Sequence, residues 1–148
     1  MSKTTAAAGP AQAGARARLA PAWVRWLALL ALCAAYLQGG LAKLADFGGA
    51  IAEMQHFGLA PAAPLAAATI ALELGASLLI LTGWLRWLGA LALAGFTLMA
   101  SFLANRFWAA PPAEQFMMAN AFFEHVGLAG GFLLVAWEDI RRGKPAQR

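Results

Sequence analysis

The chain has 148 residues, of which 61% are hydrophobic and 12% are charged, and it carries a net charge of +4. A soluble domain this short cannot bury so much apolar surface, because its surface is large relative to its volume. The composition therefore excludes most soluble classes and predicts an integral membrane protein. The single cysteine excludes an intramolecular disulfide and a CxxC redox centre.

The two ends of the chain are polar. Residues 1–20 are rich in Ala, Gly, Pro, Gln and Arg, and we expect a disordered tail there. A removable signal peptide over residues 1–35 is the competing interpretation, because arginines precede an apolar run. That run continues to Leu44 without a convincing cleavage site, which favours a membrane span. Residues 139–148 are expected to form a basic tail.

Four stretches are long enough to cross the hydrocarbon core, which requires about 20 apolar residues. They cover residues 23–41, 64–84, 87–107 and 116–137. Lipid leaves no backbone polar group unpaired, and none of the four alternates like a barrel strand, so each is predicted to be helical. The predicted fold is all-α, an integral membrane four-helix bundle over residues 21–138.

Lysine and arginine are unevenly divided between the two predicted sides of the membrane. Of the 11 in the chain, Lys43 and Arg106 fall on one side, and the other nine fall on the side that holds both termini. The positive-inside rule then places both termini in the cytoplasm. Five of the six tryptophans fall at the cytoplasmic ends of the predicted spans, where amphipathic rings anchor at the interface.

The longest connection, between the first and second spans, is predicted to lie outside and to contain a short helix. Asp46 can cap this helix, and Phe47, Ile51 and Met54 would form one apolar face. We expect the helix to lie on the membrane surface or to cap the bundle.

Polar side chains interrupt the apolar spans. Glu73 lies near the middle of the second span, and Glu124 and His125 lie near the middle of the fourth. An ionised carboxylate at that depth costs about 2.5–3.5 kcal/mol on insertion scales, so we expect these groups to face the interior. The predicted polar interior contains Gln38, Glu73, Asn105, Asn120, Glu124 and His125, with Lys43 and Arg106 at its outer mouth.

Each of these groups also has a structural interpretation. Amide and hydroxyl side chains in membrane helices most often form hydrogen bonds between helices. Glu73 and Glu124 favour a functional site, but either could form an internal ion pair with Lys43 or Arg106. Lys43 could also be an interfacial anchor, and His125 a hydrogen-bonded core histidine.

Several cofactors and partners are not expected. Bis-histidine haem requires two histidines at one depth, and the two in this chain lie at different depths. No cluster has metal-ligand spacing, and no glycine-rich loop could hold a nucleotide. The basic tails lack interleaved aromatic residues, so we expect them to contact anionic membrane lipid rather than nucleic acid.

From about Val24 to Ala136 the sequence resembles the DoxX family of small four-span bacterial membrane proteins. The motifs that carry the resemblance are Gly39-Gly40-Leu-Ala-Lys43-Leu44, Gly58-Leu-Ala-Pro61, Leu72-Glu73-Leu74-Gly75, Gly83-Trp-Leu-Arg86 and His125-Val-Gly127-Leu-Ala-Gly130-Gly131. One departure is Glu124-His125, which stands where the family commonly has a Lys-Asn pair.

The resemblance implies a bacterial inner-membrane protein linked to redox chemistry, since family members resemble the small subunit of thiosulfate:quinone oxidoreductase. We therefore expect a quinone headgroup to enter the polar interior from the lipid, with Glu73 and His125 exchanging protons with it. The side chains expected to hold the quinone are Gln38, Lys43, Asn105, Asn120 and Glu124. The chain would be at most a quinone-interacting subunit, receiving electrons from other protein subunits of a membrane complex.

Two other functions stay open. The bundle could be a non-catalytic assembly or anchoring subunit, whose charges form internal pairs and whose tails or outer helix dock a partner protein. It could also be a small proton-coupled transporter, although four spans without a broken helix or an inverted repeat disfavour this.

Overall fold

The computed structural model describes residues 21–143, and the predicted tail over 1–20 lies outside that range, as do residues 144–148. Within it, the ordered elements are all helical: α1 (Ala22–Ala45), α2 (Phe47–His56), α3 (Ala62–Thr82), α4 (Arg86–Ala104), a short 3-10 turn (Phe107–Ala109) and α5 (Pro112–Gly143). Four of them, α1, α3, α4 and α5, are long and apolar enough to cross a membrane. The predicted all-α, four-span membrane fold is confirmed.

The last helix is longer than its predicted span. α5 has 32 residues and is about 48 Å long. It begins at Pro112, which suits a first turn because proline lacks the N–H that a helix leaves unpaired there. It continues to Gly143, through part of the segment predicted as a basic tail.

The turn between α3 and α4 is tight. Gly83 has a φ of 85°, in the left-handed region that glycine adopts without a steric penalty. Arg86 folds back over this turn, and its Nε donates a hydrogen bond to the carbonyl of Ile80 at 2.8 Å. The turn therefore makes α3 and α4 antiparallel neighbours.

The short helix α2 caps the bundle, which is one of the two positions predicted for it. The carboxylate of Asp46 accepts a hydrogen bond from the backbone N–H of Gly49 at 2.9 Å, which satisfies a free donor of the first turn. Ala50 and Met54 are buried against Ala66 of α3. Phe47, predicted to share this face, is instead 41% exposed, because the buried face is centred on Ala50 and Met54.

The four spanning helices follow one another around the bundle, with α1 packed on α3, α3 on α4 and α4 on α5. α1 and α5 meet near the middle of the bundle and at the end that holds the described ends of the chain. Near the middle, the Tyr36 ring lies 5.4 Å from that of Phe132, and at the chain ends Arg25 Nη2 lies 3.6 Å from Glu138 Oε2. We call this end of the molecule the terminal end, the opposite end the loop end, and the gap between α1 and α5 at the loop end the seam.

Aromatic side chains hold α5 against α4 at the loop end. Phe102 of α4 and Phe122 of α5 meet edge to face with ring centroids 5.2 Å apart. Phe107 and Trp108, in the 3-10 turn, also pack against Phe122. These contacts keep α5 with α4 at the level where it no longer touches α1.

Close packing of α3 against α4 depends on Gly89. A Cβ on this glycine would lie 2.6 Å from the carbonyl oxygen of Ala76 and 3.0 Å from Cβ of Leu79. Any side chain at this position therefore forces the two helices apart.

We expect Gly89→Ala to lower the free energy of unfolding by about 1–3 kcal/mol, because the added methyl group meets backbone of the neighbouring helix. Gly95→Ala is the matched control, since Gly95 lies on the same helix with open space around it. Thermal unfolding in detergent compares the two variants. Equal melting temperatures would contradict the close approach of α3 and α4 at Gly89.

Candidate functional site

A cavity of about 380 Å³ lies in the loop half of the bundle. All five helices line it, and much of its wall is apolar, with Phe96, Met99, Leu103 and Leu128 among the lining residues. Its polar lining residues are Tyr36, Lys43, Glu53, Thr69, Glu73, Thr97, Asn105 and His125. Because α1 lines one side and α5 another, the cavity lies beneath the seam.

The cavity contains a buried ion pair. The side chain of Glu73 is 7% exposed, and Lys43 Nζ lies 3.4 Å from its Oε1 and 3.5 Å from its Oε2. Gly39 and Gly40 allow this contact, because α1 passes close to α3 there: a Cβ on Gly40 would lie 2.8 Å from Leu74 Cδ2. Lys43 follows Gly39 by one helical turn and so shares its face of α1.

The ion pair extends to the surface through α2. Lys43 Nζ also lies 3.9 Å from Oε2 of Glu53, whose side chain is 45% exposed. Three titratable groups, Glu53, Lys43 and Glu73, therefore form a continuous chain from the surface of the cap helix to the buried cavity. Each charge in this chain has an opposite charge beside it, which offsets the cost of removing it from water.

A second polar point in the cavity wall consists of two hydroxyl groups. Tyr36 Oη and Thr97 Oγ1 form a hydrogen bond, and both residues are buried. The Thr97 hydroxyl donates to the carbonyl of Leu93, so the Tyr36 hydroxyl is the donor to Thr97. The lone pairs of Tyr36 Oη remain able to accept a hydrogen bond from a ligand.

His125 projects from α5 into the cavity lining. Its Nδ1 lies 2.6 Å from the carbonyl oxygen of Ala121, which can only accept, so Nδ1 carries the proton. Whenever the ring is neutral, Nε2 can accept a proton or a hydrogen bond. Asn105, at the end of α4, also lines the cavity, and its Nδ2 lies 3.5 Å from Ser101 Oγ.

Among the residues predicted to form one site, the structure therefore brings Lys43, Glu73, Asn105 and His125 together around the cavity. It places Gln38, Asn120 and Glu124 at exposed positions outside the cavity lining. Arg106, predicted at the outer mouth, is also exposed.

The helical repeat explains the exposed positions on α5. Asn120 and Glu124 precede Gly131 by eleven and seven residues, which places all three on one face at about 3.6 residues per turn. At Gly131 this face meets α1, since a Cβ there would lie 3.3 Å from Leu32 Cδ1. Nearer the loop end α1 has diverged from α5, so the same face borders the seam.

The sequence prediction did not include Tyr36, Thr97 or Glu53. Tyr36 precedes Gly39 and Lys43 by three and seven residues, and this spacing alone was sufficient to place it on their helix face. Glu53 carried no such signal, because its approach to Lys43 depends on how α2 folds over the bundle. Among residues 21–143, no group of three or more His, Cys, Asp or Glu side chains is positioned to hold a metal ion.

Lys43→Met should lower the free energy of unfolding by about 3–5 kcal/mol, because it leaves the buried Glu73 carboxylate without its cation. The double variant Lys43→Met/Glu73→Gln should lose less than Lys43→Met alone. Glu53→Gln should cost less than about 1 kcal/mol, since that pair is exposed to solvent. Unfolding in mixed micelles gives these free energies. If the loss in the double variant equals the sum of the losses in Lys43→Met and Glu73→Gln, the two side chains are not coupled.

Comparison with known proteins places the chain in a family. A family model described as DoxX matches residues 17–106, which include Lys43, Glu73 and Asn105 but not α5 with His125. Neither a curated protein nor a solved structure was found to be similar to the chain. With four helices that can cross a membrane and a family match over more than half of its length, the chain belongs to the DoxX family of membrane proteins.

Proposed function

We propose that this protein is the small membrane subunit of a redox complex and that it binds a quinone headgroup in the cavity beneath the seam. The observation that carries the proposal is the buried Lys43–Glu73 pair, which lines a largely apolar cavity between membrane-spanning helices. An ionisable pair inside a membrane span is expensive and marks a functional site by default.

The cavity fits such a ligand in size and chemistry. Its volume of about 380 Å³ lies within the range of about 300–1,000 Å³ found for small-molecule sites. Apolar side chains such as Phe96 and Met99 can contact the faces of a ring, and the seam gives a hydrophobic tail a route into the lipid. Lys43 can donate a hydrogen bond to a ring oxygen, and Tyr36 Oη can accept one from a hydroxyl group of the reduced ring.

When bound, a quinone supplies the capacity to take up two electrons and two protons. In this proposal, the Lys43 ammonium group donates a hydrogen bond to a ring oxygen and stabilises negative charge there. Glu73 and the free Nε2 of His125 hold and transfer protons. A proton that Lys43 gives to Glu73 is replaced from Glu53, which exchanges protons with water at the loop end.

Electrons would come from a partner subunit, and side chains on the outer surface of the spans support the existence of one. Glu124 and Asn120 on α5, which border the seam, and Gln38 on α1 are exposed within membrane-spanning helices. A carboxylate facing hydrocarbon costs about 2.5–3.5 kcal/mol, which a partner helix with a hydrogen-bond donor would offset. The same observation favours the second candidate function, a non-catalytic assembly subunit of a larger membrane complex.

We also propose that the protein lies in a bacterial inner membrane with both termini in the cytoplasm. The excess of lysine and arginine around the termini supports this orientation. The Arg25–Glu138 ion pair brings the first and last described helices to the same end. In this orientation the cavity and α2 belong to the outer half of the bilayer.

Purification in mild detergent should give near-stoichiometric quinone with the native protein and none with the Glu73→Gln/His125→Ala variant. The reason is that this variant removes both proton-exchanging groups from the cavity wall. Extraction and quantification of the quinone provides the measurement. The matched control Glu114→Gln/His56→Ala changes the same residue types at exposed positions outside the cavity, and it should keep the quinone.

Loss of quinone from both variants, or from neither, would contradict the proposed site. Absence of quinone from the native protein would favour the assembly subunit. In an assembled complex, full quinone-dependent activity of Glu73→Gln would show that the proton role of Glu73 is wrong.

Glu124→Gln should lower the recovery of the assembled complex without changing the quinone content of the complexes that do form. Glu124 lies outside the cavity, so only its contact with a partner helix is lost. Co-purification with a tagged partner subunit measures the recovery of the complex. The quinone content is then measured per recovered complex. If quinone content falls while recovery does not, Glu124 belongs to the ligand site instead.

A further inference from the structure

A second cavity, of about 620 Å³, lies at the terminal end of the bundle. It lies between the first turns of α1 and the last turns of α5, far from the Lys43–Glu73 pair. Its charged lining residues are three arginines, Arg25, Arg86 and Arg142, and one carboxylate, Glu138. The cavity therefore has an excess of positive charge.

Glu138 is the carboxylate that Arg25 and Arg142 share. It forms a close ion pair with Arg142, one turn further along α5, through its Oε1. Its Oε2 lies 3.6 Å from Arg25 Nη2, beyond hydrogen-bond distance. A single carboxylate thus faces two guanidinium groups and satisfies only one of them by a hydrogen bond.

The Nη2 atom of Arg25 is buried and has no hydrogen-bond partner among residues 21–143. Buried N–H groups are nearly always paired in folded proteins, because leaving one unpaired costs its full desolvation energy. Arg25 also lines the cavity and its side chain is 32% exposed, so an acceptor placed there can reach the guanidinium group.

The third arginine, Arg86, also has N–H donors that can bind a ligand. Arg86 donates through Nε to the carbonyl of Ile80, and its Nη1 lies 3.7 Å from Asp139 Oδ1. Asp139 is already engaged, because its Oδ2 accepts a hydrogen bond from the backbone N–H of Trp87 at 3.1 Å. The planar guanidinium group of Arg86 therefore keeps N–H donors that can reach an anion.

The position of the cavity indicates where such an anion comes from. The terminal end has five exposed tryptophans, Trp23, Trp26, Trp84, Trp87 and Trp137. Exposed tryptophan rings lie at the level of the lipid headgroups. Part of the cavity wall is apolar, including Val24, Ala28 and Leu29, as an acyl chain below a headgroup requires.

We propose that this cavity binds the phosphate group of an anionic phospholipid, with Arg25, Arg86 and Arg142 as its ligands. Guanidinium groups bind phosphate through paired, charge-assisted hydrogen bonds. Basic pockets between membrane helices recognise anionic headgroups in this way. The site is independent of the quinone proposal, since no residue lines both cavities.

Native mass spectrometry of the full chain, titrated with phosphatidylglycerol or phosphatidylcholine, tests the proposal. The native protein should retain one phosphatidylglycerol more tightly than the others and should show no comparable site for phosphatidylcholine. Arg25→Gln and Arg142→Ala should each weaken that first binding event about tenfold or more, because each removes a charge-assisted hydrogen bond. Size-exclusion profiles identify the variants that remain folded.

Arg141→Ala is the matched control. Arg141 is adjacent to Arg142, but its guanidinium group lies over the Trp137 ring, 4.5 Å from the centroid, and it does not line the cavity. Arg141→Ala removes the same charge and should leave the first binding event unchanged. Glu138→Gln should strengthen binding, because it removes the carboxylate that competes with phosphate for two arginines.

Three outcomes would overturn the proposal. An equal loss in Arg141→Ala and Arg142→Ala would indicate general attraction of anionic lipid to a basic surface. Unchanged binding in folded Arg25→Gln and Arg142→Ala would remove the site altogether. Displacement of phosphatidylglycerol by millimolar inorganic phosphate, with retention of that phosphate, would assign the arginines to a free anion rather than to lipid.

Discussion

The contact between Lys43 and Glu73 constrains the arrangement of the loop end. Neither charge is stable alone in the membrane interior, so the helices that carry them must meet there. Gly39 and Gly40 make this possible by bringing α1 against α3. At the same level, aromatic contacts hold α5 against α4. The seam and the cavity beneath it lie between these two helix pairs, α1 with α3 and α4 with α5, and α2 adds Glu53 as the link to the surface.

The fold could be predicted from the sequence because each span is defined by its own residues. Apolar length determines a membrane helix, and Asp46 marks the start of α2 through its local hydrogen bond. The candidate site was predicted in part. Lys43 and Glu73 stand out because charge is rare within membrane spans, and both line the cavity. Asn120 and Glu124 have equally good helical spacing, but periodicity only identifies residues that share a face. Whether that face meets another helix depends on the path of α1, which the sequence of α5 does not contain.

The two ends of the molecule differ in how far their positive charges are compensated by carboxylates. At the loop end, one lysine lies between two carboxylates, and the positive charge is fully compensated within the fold. At the terminal end, three arginines line a cavity with a single carboxylate, and among residues 21–143 a buried guanidinium N–H has no hydrogen-bond partner. The first arrangement suits a site that exchanges protons with a neutral ligand. The second suits an anion that stays bound and anchors the bundle at the headgroup level.

The seam has a consequence for how binding to this protein should be quantified. A ligand that enters between α1 and α5 comes from the hydrocarbon phase and never has to pass through water. Its effective concentration is its mole fraction in the bilayer, which for a strongly partitioning amphiphile far exceeds its concentration in the aqueous phase. A modest intrinsic affinity is then sufficient for high occupancy. Detergent, by diluting that two-dimensional phase, would weaken apparent binding without altering a single contact in the cavity.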